Sequence, residues 1–266
     1  MLLGLAVVSA AYVVASRRGV IDSRDDTSPW FRDPRLRPIL FGAGLLVGFL
    51  ALQSPIDVGG DQYLFSLHML QHLLLMMVAP PLVLLGICGM RPRAQRFPRL
   101  RTVWWAITRP WSAVFIFNAV MLVWHVPALY NATLTTEPIH VLEHLSFIGV
   151  GIVFWWPIID PIREPGTRLV TPLTKIAMIA VSGIPPTVLG LIFALSPVPF
   201  YPFYVVAPRL WGLSAVADQQ VGGVAMLGLG NIIYAAAILI IFTRLLSDPR
   251  RDEQDAAQRL GGALLR

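Results

Sequence analysis

The stretch Tyr63–Cys88, YLFSLHMLQHLLLMMVAPPLVLLGIC, decides the fold class. It has no formally charged side chain and, as a helix rising 1.5 Å per residue, is long enough to cross about 30 Å of hydrocarbon. Two histidines, His68 and His72, interrupt it four positions apart, which puts both imidazoles on one helical face. A polar ring in hydrocarbon is costly without a partner, so a paired imidazole inside a span marks a site. Pro80 and Pro81 remove two backbone donors further along and predict a kink or break near that end.

Six further apolar runs flank this one: Met1–Ser16, Pro38–Gln53, Trp111–Tyr130, Pro138–Ile159, Leu173–Leu195 and Val221–Leu246. Hydrophobic residues make up 56% of the 266-residue chain and charged ones 14%, against roughly 25% charged in soluble domains. The expected fold class is therefore all-α: one polytopic membrane helix bundle of about seven transmembrane helices over 1–246, followed by a basic tail, 247–266. Gly183 and Pro185-Pro186 interrupt the sixth run, and Trp155-Trp156 read as interface anchors at the end of the fifth. The single cysteine, Cys88, excludes an intramolecular disulfide framework and a cysteine-rich metal cluster. No basic segment precedes the first apolar run, so no cleaved leader is expected; Arg17 and Arg18 follow it instead.

Charge alternates from loop to loop. The segments Arg17–Arg37 and Arg91–Arg109 carry six arginines each, Arg163, Arg168 and Lys175 surround the fifth connection, and five arginines lie from Arg244 onward. Of the 21 lysines and arginines only Arg209 lies in the alternate loops. The positive-inside rule then places the N-terminus outside and the C-terminus in the cytoplasm. A net charge of +6 distributed this way reads as topology and anionic-lipid contact, with no nucleic-acid partner.

That orientation gives every histidine a side. His68 and His72 enter from outside on the third span, His125 ends the fourth in VWHVPALY, and His140 and His144 open the fifth in EPIHVLEHLSF. At helical rise, His68, His125 and His144 lie roughly 8 Å below the outer boundary, with His72 one turn deeper. Imidazole suits copper, zinc, iron and nickel, and thioethers favour Cu(I). Met69, Met76, Met121 and Met226 lie near these rings, and Asp218 and Glu143 are placed to ligate or to hold a ring in its metal-binding tautomer. Histidines with methionines and no cysteines lean toward copper. The bland readings are a hydrogen-bonded helix contact for a lone His125, core filling for each methionine, and an N-cap for Asp218.

Two other classes fit the same residues. Facing imidazoles hold haem iron when they are about 4 Å apart across the metal with room for a macrocycle, and Gly149 and Gly151 below His144 offer that room. A transporter would use the proline-broken helices, but the inner half shows no ligands to continue a path.

Four blocks resemble a known family: LHMLQHLLLMMVAPPLVLLG (Leu67–Gly86), WHVPALYNATL (Trp124–Leu134), IHVLEHLSFIGVGIVFWWPII (Ile139–Ile159) and WGLSAVADQQVGGVAM (Trp211–Met226). They are similar to the multi-span assembly factors of caa(3)-type cytochrome c oxidase, called CtaG in bacilli. The family pattern often has an aromatic after the position of Met226, where this chain has Leu227. The resemblance implies a multi-pass bacterial inner-membrane protein that matures a haem–copper oxidase by handing copper to a metal centre; the residues show no nucleophile poised with a base, so no enzymatic role is expected. Its partners would be cytochrome c oxidase subunits and a periplasmic or extracellular copper chaperone. Position by position, the family's histidines fall on His68, His72, His125, His140 and His144, and its acidic motif on Asp218. The expected metal set is those six with Met226.

Overall fold

The computed structural model describes residues 9–10, 12–14, 35–89, 98–162 and 170–247, and the described residues are helical with no strand. The chain order is α1 (Leu36–Gln53), the short α2 (Pro55–Gln62), α3 (Phe65–Gly86), α4 (Pro98–Ile107), α5 (Pro110–Trp124), α6 (Pro127–Thr135), α7 (Glu137–Ile159), α8 (Pro172–Leu195), the one-turn α9 (Pro202–Val206) and α10 (Ala215–Leu246). Five of these, α1, α3, α7, α8 and α10, are long and apolar enough to cross a membrane. A sixth crossing results if α4 and α5, bent by 76° at their junction, count as one span. Of the seventh expected span, Met1–Ser16, only residues 9–10 and 12–14 are described, and the tail 248–266 lies outside the described residues.

Prolines set several boundaries. Arg109, Val126 and Thr171 are extended just before Pro110, Pro127 and Pro172, because a following proline ring disfavours the helical region. The expected Trp111–Tyr130 run is thereby corrected: α5 stops at Trp124, and a separate helix starts at Pro127. Within α3 the predicted break at Pro80-Pro81 is replaced by a π turn over Leu74–Val78, after which the helix runs on to Gly86. The interruption expected in α8 is likewise absent, since Pro185 and Pro186 sit inside a continuous helix.

Helices α3, α7, α5, α8 and α10 pack in a closed ring, each against the next, and α1 lies outside against α3. The outward faces carry bare apolar side chains such as Leu46, Phe115, Leu145, Ile184 and Leu239. The polar residues lie inside, as expected for a bundle solvated by lipid. Close approach of α3 and α7 depends on Gly151, where a Cβ would come within 2.8 Å of the Met76 carbonyl oxygen and the Pro80 ring.

Neither Pro80 nor Pro81 has an N–H, so the Met76 carbonyl has no intrahelical donor four or five residues on. The Trp155 indole Nε1–H of α7 fills that role at 3.3 Å, in the core. Trp155 is therefore no interface anchor, being 3% exposed, whereas Trp156 is partly buried and meets Trp104 edge-on. Trp155→Phe keeps the packing and orphans that carbonyl. We expect a stability loss of about 1 kcal/mol, measured as a lowered Tm in detergent.

Candidate metal centre

His68 and His72 share one face of α3 because they are one turn apart, and Glu143 and His144 face them from α7. Each of the four offers a ligand atom, and these atoms all lie within 4.8 Å of one another. The carboxylate sits between the two α3 rings: Glu143 Oε2 is 3.6 Å from His68 Nε2, and Oε1 is 3.7 Å from His72 Nε2. All four residues are buried, Glu143 completely.

Hydrogen bonding settles the tautomer of His68. The Tyr204 hydroxyl donates to the Gly60 carbonyl at 2.7 Å, so its oxygen is left to accept. His68 Nδ1, 3.1 Å away, must then carry the hydrogen it donates to Tyr204. In the neutral ring, Nε2 then presents a lone pair toward Glu143. A lone pair and a carboxylate facing each other in a membrane interior repel, unless a cation or a shared proton lies between them. Among the described residues, His72 Nδ1 and Nε2, His144 Nε2 and both Glu143 carboxylate oxygens also lack hydrogen-bond partners. Three imidazoles and a carboxylate with unsatisfied buried acceptors match the donor set of a first-row transition metal.

The other expected ligands lie at the margin. His140 Nε2 is 3.2 Å from Asp61 Oδ1 of α2, and its ring lies 4.1 Å from that of His144. Burial pushes the Asp61 carboxyl up to about 7. His125 stands just past α5; its Nδ1 donates to the Met121 carbonyl at 2.7 Å, which leaves Nε2 as a buried acceptor without a partner. Its ring is 6.2 Å from that of His72. Met226 packs with Phe65 and Met69 and is not among the four converging donors.

Asp218 has different work. It does not cap its own helix, where Ser214 accepts from Ala217 N–H. Its carboxylate instead accepts from Phe65 N–H (2.6 Å), Ser66 N–H (3.1 Å) and the Ser66 hydroxyl (2.6 Å). It therefore caps α3, 152 or 153 positions away in sequence, and sets the helix end from which His68 projects.

Sequence reasoning missed the tyrosines. Tyr130, Tyr201 and Tyr204, from α6, the start of α9 and α9 itself, close the centre on the α2 side. Tyr130 and Tyr201 stack at 3.9 Å, and the Tyr201 hydroxyl donates to the His125 carbonyl at 2.9 Å. The readable signal was FYPFYVV (200–206), an aromatic-rich loop segment in which Tyr201 and Tyr204 are buried. Haem fits poorly between α3 and α7. The room expected beside Gly151 is filled by Met76 and Pro80, and Gly149 faces outward from the bundle.

The fold and the centre define a class: a membrane helix bundle that encloses a histidine–carboxylate cluster at one end. The profile of the cytochrome c oxidase caa3 assembly factor family matches residues 10–248, and the chain belongs to that family. No curated protein and no solved structure shows a significant match to it.

Proposed function

We propose that the chain holds copper at His68, His72, Glu143 and His144 and assists cofactor insertion into a haem–copper oxidase. The observation that carries this reading is the convergence of four buried donors within 4.8 Å, with acceptor atoms that no protein group satisfies. His140 with Asp61 forms the rim, and the tyrosine layer separates the donors from the loop side. Asp218 takes part through the position of α3, and Met226 through the adjoining cavity. Copper is favoured over zinc by the thioethers close by. Binding rather than turnover is the role, so the chain is no enzyme in this reading. Its partners are oxidase subunits and a periplasmic or extracellular copper chaperone. The arginine-rich connections support an orientation with the N-terminus outside and the C-terminus in the cytoplasm, in which the centre would lie near the outer face of a bacterial inner membrane.

Metal analysis of purified protein supplied anaerobically with Cu(I) tests the proposal. We expect copper retained in stoichiometric amount through gel filtration. Imidazole binds metal only when neutral, so retention should weaken on acidification and recover on return to neutral pH. A chain that carries no copper at neutral pH would leave the competing reading, a metal-free scaffold on which oxidase subunits dock.

A further inference from the structure

A second cavity adjoins the histidine–carboxylate centre, on the side away from Glu143. It measures about 50 Å³ and lies within the helix ring. Five of the chain's eight methionines line it. Among them, Met76 comes from α3, Met121 from α5 and Met226 from α10, so three helices each supply a thioether. His72 and His125 are on the same wall. His125 is 7% exposed, and its Nδ1 is committed to the Met121 carbonyl, so the lone pair on Nε2 is buried without a partner. Two π turns among the described residues, Leu74–Val78 and Met226–Gly230, contribute to this wall and carry methionines there. Such turns shift side chains out of ordinary helical register and recur at functional sites.

Resting on the copper reading above, we infer that this cavity is a second metal position, for Cu(I), formed by His125 and the thioethers of Met76, Met121 and Met226. The two positions differ in chemistry. Glu143 and three imidazoles form a borderline-to-hard donor set that also accepts Zn(II), whereas thioethers with one imidazole select a soft monovalent ion. A neutral thioether set suits Cu(I) in a dry interior, since Cu(I) carries half the charge of Zn(II). His72, a ligand of the first position, also lines the second cavity, and its ring is 6.2 Å from that of His125 and 5.9 Å from that of His144. An ion can therefore pass between the positions by exchange of ligands at His72, with no change of oxidation state.

The test uses the full chain in detergent, Cu(I) alone under anaerobic conditions, and Zn(II) alone on matched samples. The parent protein should bind a second equivalent of Cu(I) beyond the first and only one of Zn(II), with sulfur neighbours in the copper X-ray absorption spectrum. The variant M76L/M121L/M226L conserves side-chain volume. It should lose one Cu(I) equivalent and the sulfur signal while its Zn(II) uptake stays unchanged. His125→Phe should lose the same equivalent. Copper bound by nitrogen and oxygen alone in the parent protein, as when the cavity holds only water, overturns the inference. So does a triple variant that keeps both equivalents. The Zn(II) uptake reports separately on the histidine–carboxylate centre, so loss of that reading is seen independently.

Discussion

Protein with His72 and His144 both replaced by alanine should retain no copper at the histidine–carboxylate centre after gel filtration, while remaining folded. His72 and His144 come from different spans, so the double change removes one donor from each wall and leaves only His68 and Glu143. Two donors cannot hold an ion against exchange with solvent, and a loss of at least a hundredfold in affinity is expected from the missing imidazoles. Folding should survive because neither ring holds a neighbour in place through a hydrogen bond of its own: His72 has no partner at either nitrogen, and His144 has none at Nε2. Copper retained at that centre with undiminished affinity would show that the four donors are not its ligands. Glu143→Gln is the informative companion. It keeps the shape and removes the charge, so copper should weaken while thermal stability without metal holds or rises, because the facing acceptors no longer repel.

The second large effect belongs to Asp218. Replacing it with alanine leaves the Phe65 N–H and Ser66 N–H at the buried start of α3 without their acceptor, along with the Ser66 hydroxyl. Stranding a buried donor costs about 1–3 kcal/mol, more when the lost partner was charged, so a destabilisation of about 3 kcal/mol is expected. Asp218→Asn retains one acceptor oxygen and should lose about half as much. Copper stoichiometry, measured well below the lowered Tm, should match the parent. A D218A protein of unchanged stability that has lost its copper would make Asp218 a ligand instead of a cap.

Much of this was legible in the chain itself, for a physical reason. Hydrocarbon imposes long uncharged runs and a charge bias on loops, both of which are local properties of sequence. Histidine pairs four apart must share a face, so His68 with His72 and His140 with His144 could be paired before any coordinates. The bend at Pro110 and the early end of α5 were harder to see, because an apolar run is continuous in hydropathy even where proline stops the helix. Trp155 was misread for a related cause. Its position at the end of a span resembles an anchor, and only the orphaned carbonyl of Met76 on another helix explains why it turns inward.

Composition and spacing alone determined that this is an all-helical membrane protein with paired imidazoles near one end of its spans. Which of those imidazoles meet was decided by tertiary packing. Close contact at Gly151 brings α7 onto α3, Asp218 fixes the start of α3, and Tyr204 sets the tautomer of His68. Each of these acts between segments far apart in the chain, through distances of a few ångströms that no periodicity records. For that reason five similar histidines sort into three that converge on Glu143, one beside Asp61, and one that faces the methionines.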